Sequence, residues 1–204
     1  DDIRDVWFHF VRRFQQMTGP LMAKGFEDTV LYQYNRLIGL NEVGGDPSEF
    51  GQPLSRFHKF CVTRNKTLPC SMNATATHDT KRGEDVRARL AVLSEMPSEW
   101  ERHVRSWIRM NRHHRKRKDD GYIPDRNDMY FYYQTLIGTW PIDATDWEAY
   151  PDRIKQYIIK AVREAKVHTA WLKQDEAYES GFLRFIDRTL DRNLAGAFLE
   201  DVDT

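Results

Sequence analysis

Apolar residues recur at helical spacing along most of this chain of 204 residues. The first amphipathic segment places Ile3, Trp7, Phe10 and Phe14 on one face, and Gly19-Pro20 is expected to end it. The pattern predicts about seven helices, within residues 3–17, 47–61, 84–93, 98–108, 127–137, 147–162 and 175–190, and a further helix or helical turn within residues 24–37. The fold is therefore predicted to be mainly α-helical.

A single segment, Leu68 to Thr77, has the pattern of a β-strand, and it is short and rich in small residues. One strand cannot form a sheet alone, because its backbone N–H and C=O groups need neighbouring strands. The chain also begins without methionine, inside a helical pattern, and stops just after the apolar stretch 194–199. We therefore expect it to be an excerpt of a longer polypeptide that supplies the missing strands.

The end of this predicted strand carries a histidine and a carboxylate, His78 and Asp79, and a charged, helix-competent segment follows at once. Barrel enzymes keep their chemistry at the C-terminal ends of strands. A carboxylate there can stabilise a developing positive charge, and a histidine can hydrogen-bond a polyhydroxylated substrate. Alternatively, Asp79 only caps the next helix, and this segment taken alone favours the cap.

A second polar cluster, Lys24, Glu27 and Asp28, follows Gly19-Pro20 in otherwise apolar surroundings. Its two carboxylates could simply complement the dipole at the start of a helix. They could equally line a sugar site, where lysine and carboxylate side chains grip hydroxyl groups. The local pattern does not decide between these two interpretations.

Lysine plus arginine equals aspartate plus glutamate, 31 residues each, so no net charge points to nucleic acid or to an anionic membrane. The basic run 112–118 could contact phosphates. Acidic residues follow it and no aromatic residue interrupts it, so we interpret it as a stretch of solvated loop, 111–124. We expect neither a nucleic-acid partner nor a membrane partner.

The sequence also lacks the motifs of common cofactor and metal sites. Phosphate-loop, Gly-x-Gly-x-x-Gly and Gly-x-Ser-x-Gly patterns are absent, and the histidines lack the spacing of a zinc site. We therefore predict no metal and no cofactor. Cys61 and Cys70 could pair with each other, but we interpret them as reduced, buried thiols of a cytosolic protein.

Taken together, several segments resemble the maltooligosyl trehalose synthases, a trehalose-forming branch of the α-amylase superfamily. The segments that carry the resemblance are Gly19-Pro20-Leu21-Met22-Ala23-Lys24-Gly25-Phe26-Glu27-Asp28-Thr29, residues 32–36, residues 40–47, Thr77-His78-Asp79-Thr80-Lys81-Arg82-Gly83-Glu84-Asp85-Val86-Arg87-Ala88-Arg89, residues 132–141 and residues 164–171. They span most of the chain in order. Gly83 departs from the serine that is usual in the family.

The resemblance implies a fold and a reaction. The family has a (β/α)8 barrel with added helical and C-terminal subdomains. Residues 1–95 would hold a helical segment with a late barrel strand and its helix, and residues 96–204 would form a helical subdomain. The family's enzymes convert the terminal α-1,4 bond of a maltooligosaccharide into an α,α-1,1 bond with retention. The resemblance implies no cofactor and a cytoplasmic location.

The resemblance also implies roles for particular residues. Asp79 would be the third catalytic carboxylate, which supports an oxocarbenium-like transition state. The residues that would contact substrate are His78, Lys81, Arg82, Glu27, Lys24 and Asp28. The nucleophile and the general acid would lie outside this chain, so the isolated chain is predicted to be inactive. Its partners would be the maltooligosaccharide and the remainder of the barrel.

Two other functions stay open. The parent protein could hydrolyse α-1,4-glucan, which would release new reducing ends. The chain could instead be a helical interaction module that binds an acidic partner or nucleic acid through the basic run 112–118, with salt-sensitive affinity.

Overall fold

The computed structural model describes residues 2–118 and 121–203. Within these ranges the α-helices are α1 (Asp2–Leu21), α2 (Leu31–Gln33), α3 (Leu54–Thr67), α4 (Glu84–Val92), α5 (Pro97–Asn111), α6 (Arg126–Thr139), α7 (Tyr150–Ala165), α8 (Glu176–Thr189) and α9 (Gly196–Asp203). A π-helical segment (Met22–Val30) joins α1 to α2, and 3₁₀ turns span Ile38–Leu40, Arg112–His114 and Ala144–Trp147. The strands are β1 (Lys116–Lys118) and β2 (Gly121–Ile123). The prediction of a mainly α-helical chain is confirmed.

Helix α6 lies at the centre of the core. Met129, Tyr132, Tyr133 and Leu136 on this helix are fully buried, and α4, α5 and α7 pack against it. The close approach of α4 requires Gly138, because a Cβ there would meet a valine methyl of α4 at 2.8 Å. The prediction of a helix within residues 127–137 is thus confirmed, and its central place in the core is shown by the structure.

The starts of α6 and α8 follow from local chemistry. Each is preceded by an aspartate whose carboxylate accepts a backbone N–H three residues on: Asp125 from Asp128, and Asp175 from Tyr178. Aspartate at this position satisfies an N–H that has no partner within the helix. The predicted start of the last long helix near Asp175 is therefore confirmed.

The buried core contains residues from both sides of the predicted division after residue 95. Ile38 and Leu90, which precede the predicted division after residue 95, belong to the same cluster of buried side chains as residues of α5 to α9. The division itself stays a prediction.

The predicted strand at 68–77 is wrong. Residues 68–83 form turns and irregular backbone, and none of them pairs with a strand in the described regions of the chain. The physical reason is that an extended segment becomes a strand only when a neighbouring strand accepts and donates its backbone hydrogen bonds. A hairpin forms instead inside the predicted loop 111–124, where β1 and β2 pair antiparallel with Lys116 opposite Ile123.

Several predicted helix starts or ends also differ. The helical segment predicted within residues 24–37 ends at Gln33, and the long helix predicted from residue 147 begins at Tyr150. Helix α1 continues through Gly19-Pro20 to Leu21, and Pro20 comes just before the change to π-helical geometry, a common way for a helix to accommodate such an irregularity. Helix α3 begins at Leu54, after Pro53, instead of at Pro47. Helix α5 begins at Pro97, one residue before the predicted cap at Ser98.

Much of the N-terminal third exposes apolar side chains. Every side chain from Ile3 to Leu21 is exposed, including Trp7 at 64% and Phe10 at 59%. Helix α3 likewise exposes its aromatic residues. Cys61 and Cys70 are free thiols on the surface, so the prediction of buried thiols is wrong, because the segments that hold them have little to pack against. Among the described helices, none combines the length and the apolar character needed to cross a lipid bilayer.

Candidate functional site

The π-helical segment carries the polar cluster predicted from sequence. A π-helical turn takes more than four residues, so Lys24 and Asp28 lie close together on one side, with the Lys24 Nζ 2.5 Å from the Asp28 Oδ2. Thr29 in the same segment accepts a hydrogen bond from the Lys166 Nζ at 2.7 Å. π-Helical insertions are frequent at functional sites, and this one presents a carboxylate flanked by a lysine.

A second lysine reaches the same carboxylate from a distant segment. The Lys81 Nζ lies 2.6 Å from the Asp28 Oδ1, across 53 residues of sequence. The Lys81 side chain is only 9% exposed, and its ammonium lies 5.7 Å from the ring centre of Tyr32. Asp28 therefore joins the two segments whose sequences carry much of the resemblance. We call Lys24, Asp28 and Lys81 the lysine–aspartate cluster.

The charged groups of this cluster stabilise one another in their ionised forms. Burial by itself raises the pKa of Asp28, but hydrogen bonds from Lys24 and Lys81 outweigh it and hold that pKa below its ordinary value. The hydrogen bond to Asp28 raises the pKa of the Lys24 ammonium, and the charge of Asp79 adds to this effect. Asp79 thus lies within electrostatic reach of the cluster.

Glu42 fixes the backbone that carries Lys81. Its Oε1 accepts the Lys81 N–H at 2.8 Å, and its Oε2 accepts the Arg82 N–H at 3.3 Å. In the same turn, the Gly44 N–H donates to the Glu27 Oε1 at 3.2 Å. Two carboxylates therefore tie the loop 40–47 to the π-helix and to the loop 77–83.

The sequence analysis did not single out Glu42. It lies in a turn-rich segment that carries the resemblance, but an acidic residue in a loop has no local pattern that marks its partner. Only the folded chain shows that it binds the backbone 39 residues further on.

Arg82 lies outside the lysine–aspartate cluster. Its side chain is buried, the Arg82 Nη1 donates to the Asn41 carbonyl at 3.2 Å, and its Cζ lies 6.0 Å from the ring centre of Phe131. The side chains of these two adjacent basic residues therefore have different contacts: Lys81 contacts the π-helical segment, and Arg82 contacts the helical core.

His78 and Asp79 lie on an exposed turn. Their side chains are 92% and 71% exposed, with the His78 Nε2 3.4 Å from the Asp79 Oδ1. Thr80 closes the turn, since its Oγ1 accepts the Thr77 N–H at 2.7 Å. The N-cap residue of α4 is Gly83, so the alternative interpretation of Asp79 as the helix cap is wrong. Asp79 is free to meet a ligand.

The basic run 112–118 consists of a 3₁₀ turn (Arg112–His114) followed, after Arg115, by strand β1, so its interpretation as a loop is wrong. Its interpretation as solvated holds for the exposed residues Arg112, His113, Lys116 and Arg117. Lys118 forms an ion pair with Asp175, and the Arg115 guanidinium lies 4.7 Å from the ring centre of Tyr122. His114 is buried, and burial lowers the pKa of its imidazole. Several of these side chains are thus occupied by contacts within the chain.

One group of potential metal ligands occurs in the described residues: Asp125, Asp128 and His168, whose ligand atoms lie within 4.8 Å of one another. The His168 Nε2 lies 2.8 Å from the Asp125 Oδ2, and the Tyr178 hydroxyl donates to Asp128. Burial raises the pKa of Asp128 to about 6. These hydrogen bonds explain why the three residues lie together: they join the start of α6 to α8 and to the segment before it.

Comparison with known proteins identifies similar chains. A protein of Mycobacterium tuberculosis named as a maltooligosyl trehalose synthase is 39% identical over 183 residues, which are 90% of this chain and 23% of that protein. The crystal structure of a hypothetical maltooligosyl trehalose synthase from Sulfolobus tokodaii matches with a TM-score of 0.79 and 41% identity, covering 93% of this chain and 25% of that one. The maltooligosyltrehalose synthase of Arthrobacter ramosus matches with a TM-score of 0.78 and 37% identity, covering 94% of this chain and 23% of that one.

The chain spans about a quarter of the length of each of these relatives. No protein-family profile matches it. The resemblance predicted from the sequence is thus confirmed by both sequence and structure, over a segment of the longer relatives.

Proposed function

We propose, from the similarity of nine-tenths of this chain to a segment of maltooligosyl trehalose synthases, that it belongs to an enzyme with that activity. The enzyme would convert the reducing-end α-1,4 bond of a maltooligosaccharide into an α,α-1,1 bond. The chain would supply one catalytic carboxylate and some of the walls of the pocket for the migrating glucose. The rest of the enzyme would supply the nucleophile and the general acid.

In this mechanism the nucleophilic carboxylate attacks the anomeric carbon and the general acid protonates the departing glucose oxygen, which gives a glycosyl-enzyme. The released glucose turns within the site, and its anomeric hydroxyl attacks the glycosyl-enzyme while it gives its proton to the former general acid, which now acts as a base. This step releases the nucleophilic carboxylate and restores the acid. Asp79 would stabilise the positive charge of both transition states. Exclusion of water from the pocket would favour transfer over hydrolysis.

The observation that carries this proposal is the contact between Lys81 and Asp28. It brings two segments of the resemblance together, with Asp79 near enough to influence the Lys24 ammonium. Both lysines donate in several directions, and Glu27 accepts, so the group offers donors and acceptors suited to sugar hydroxyls. His78 beside Asp79 would add another hydroxyl contact.

Arg82 has a different role in this proposal. Its side chain contacts Asn41 and Phe131 instead of the lysine–aspartate cluster. We propose that it fixes the loop from which Lys81 extends, in place of the substrate contact that the resemblance implies for it.

The exposed apolar face of α1 fits a place inside a larger molecule. Contiguous exposed apolar surface of this kind marks an interaction site. Because the relatives are about four times as long as the matched segment, we propose that the remainder of a barrel covers α1 and α3. The barrel context of residues 68–83 and the cytoplasmic location stay predictions.

The two alternative functions are less well supported. The relatives are named for trehalose formation, not for glucan hydrolysis. Part of the basic run 112–118 forms strand β1, and Arg115 and Lys118 contact other residues of the chain, which weakens the case for the run as a free docking loop. Product analysis separates the two enzymatic outcomes.

The test uses a full-length enzyme that contains this chain, with maltohexaose as substrate. We expect reducing ends to disappear without release of glucose or shorter reducing chains. Asp79→Asn should abolish this loss, since an amide cannot stabilise the cationic transition state as a carboxylate does. Asp146→Asn, a change at another exposed aspartate, is the matched control and should leave the rate unchanged.

Three results would contradict the proposal. New reducing ends would show a hydrolase. Full activity of Asp79→Asn would remove the catalytic role of that residue. Activity of the isolated 204-residue chain would show that no outside nucleophile and acid are needed.

A further inference from the structure

Glu42 lies at the first position of a tight turn. The Gly45 N–H donates to the Glu42 carbonyl oxygen at 2.8 Å, and Gly44 inside the turn has a φ of +72°, a left-handed conformation that glycine adopts without steric cost. The preceding residue, Asn41, is buried, and its side-chain amide donates to two carbonyl oxygens at α2, at 2.8 and 2.6 Å. The backbone of this turn is therefore fixed independently of the Glu42 carboxylate.

The Glu42 carboxylate accepts three backbone N–H groups. Its Oε1 accepts those of Val43 and Lys81, both at 2.8 Å, and its Oε2 accepts that of Arg82 at 3.3 Å. Hydrogen bonds to a carboxylate are roughly twice as strong as those between neutral groups. A fixed turn thus holds the backbone at two consecutive residues of a distant loop, 77–83.

The loop 77–83 depends on such contacts for its position. Residues 68–83 form turns and irregular backbone, so neither helical nor strand hydrogen bonds fix Asp79. The two residues held by Glu42 follow Asp79 closely in sequence, and one of them, Lys81, extends to the Asp28 carboxylate. Glu42 therefore fixes the backbone that carries both the proposed catalytic carboxylate and the lysine of the proposed site.

The position of this loop bears on the second step of the proposed reaction, in which the glycosyl-enzyme has two possible acceptors. Attack by the anomeric hydroxyl of the released glucose gives the α,α-1,1 product. Attack by water at the same carbon, with its proton passed to the same base, releases the nucleophilic carboxylate and leaves a shortened chain and free glucose. A misplacement of about 1 Å in a catalytic site can cost about 100-fold in rate.

We propose that Glu42 is a positioning residue of this reaction: by holding the N–H groups of Lys81 and Arg82, it keeps Asp79 and Lys81 in place and favours transfer to glucose over hydrolysis. The inference rests on the proposed trehalose-forming function. Because the Glu42 carboxylate is directed at backbone N–H groups, it acts through the loop and not on the substrate.

The test uses a full-length enzyme that contains this chain, with maltohexaose as substrate. Rates are measured per folded enzyme, with folding checked by circular dichroism, and free glucose is measured beside the non-reducing product. Glu42→Ala removes every acceptor and should lower kcat by about 100-fold. KM should change less, because Asp79 acts on the transition state.

The ratio of products separates positioning from a merely structural role. Glu42→Ala should release a larger share of free glucose, because a loosened loop lets water compete with the glucose hydroxyl. A residue that only stabilises the fold would change the amount of folded enzyme and leave this ratio as it is.

A conservative variant and a matched control refine the test. Glu42→Gln keeps a carbonyl oxygen for the Lys81 N–H but turns an amide NH₂ toward the Arg82 N–H. It should fold and lose about 10-fold in kcat, as expected for one charge-assisted hydrogen bond. Glu101→Gln, at a glutamate of α5 whose side chain is 62% exposed, should behave as the unmodified enzyme does.

Hydrogen exchange followed by mass spectrometry tests the contact without reference to activity. In the same full-length enzyme, peptides that contain the Lys81 and Arg82 amides should exchange faster in Glu42→Ala and Glu42→Gln than in the unmodified enzyme or in Glu101→Gln.

Unchanged kcat and product ratio in folded Glu42→Ala would overturn the proposal, and if that variant does not fold, the same result in Glu42→Gln would do so. Unaltered exchange at Lys81 and Arg82 would also overturn it, because other contacts would then hold the loop. An unmodified enzyme that forms no α,α-1,1 product would contradict the proposed function instead, and the exchange rates would then decide whether Glu42 holds the loop.

Discussion

Lys81→Met tests the contact on which the proposed site depends. The substitution keeps an unbranched side chain of similar length but removes the ammonium that lies 2.6 Å from the Asp28 Oδ1. Asp28 would keep its partner Lys24, whose side chain is 75% exposed. The question is how much of the stability conferred by the cluster comes from the buried lysine.

The surroundings set the magnitude. Breaking a fully buried ion pair costs about 3–5 kcal/mol, whereas an exposed pair contributes about 0–1 kcal/mol. Lys81 is nearly buried, but Asp28 is 22% exposed and would retain one cation. We therefore expect Lys81→Met to lower the free energy of unfolding by about 1–2 kcal/mol. Lys24→Met, the matched control on the same carboxylate, should change it much less.

The assay is urea unfolding of the isolated chain at pH 7, followed by tryptophan fluorescence. A double-mutant cycle with Asp28→Asn isolates the coupling between Lys81 and Asp28. Equal effects of the two lysine substitutions, or no coupling in the cycle, would refute the reasoning. Either result would mean that the two segments are held together by Glu42 and packing instead of by this ion pair.

The pH dependence has a definite sign. The pKa of Asp28 is lowered in the folded state, so its ion pairs stabilise the fold above the unfolded value, about 4. That stability is lost as the pH falls through the folded pKa. The difference between Lys81→Met and the unmodified chain should therefore shrink in acid. A difference that grows below pH 4 would contradict this assignment.

Gly181→Ala should lower the free energy of unfolding by about 1 kcal/mol in urea titrations, because the new Cβ would lie 2.9 Å from a methyl of Ile123 and this overlap outweighs the gain in helix propensity. As the pH rises from about 4 to about 6, the free energy of unfolding of the unmodified chain should fall by up to about 2–3 kcal/mol, because in this range Asp128 keeps its proton only in the folded state. Asp128→Asn should remove this pH dependence. Cys61 and Cys70 should both react with a thiol reagent without denaturant, and slow labelling would show that a partner covers them.

The sequence predicted several residues of the candidate site, but it did not predict which of them contact one another. The sequence pointed to Lys24, Asp28 and Lys81, and the structure brings them together. It gave no signal for Glu42, because a hydrogen bond to a backbone 39 residues away leaves no local pattern. Arg82 follows Lys81 directly, yet its contacts are with Asn41 and the core.

The local sequence by itself determined the helices and some of their ends. The spacing of apolar residues gives the buried face of α7, with Ile154, Ile158 and Val162, and Asp175 caps α8 through atoms three residues apart. Tertiary structure decided what depends on distant partners. Leu68 to Thr77 stays irregular because no neighbouring strand pairs with it in the described chain, and Asp79 is left exposed because α4 begins only after Gly83. Helical hydrogen bonds close within a few residues, whereas strands, ion pairs and cavities need segments that only the fold brings together.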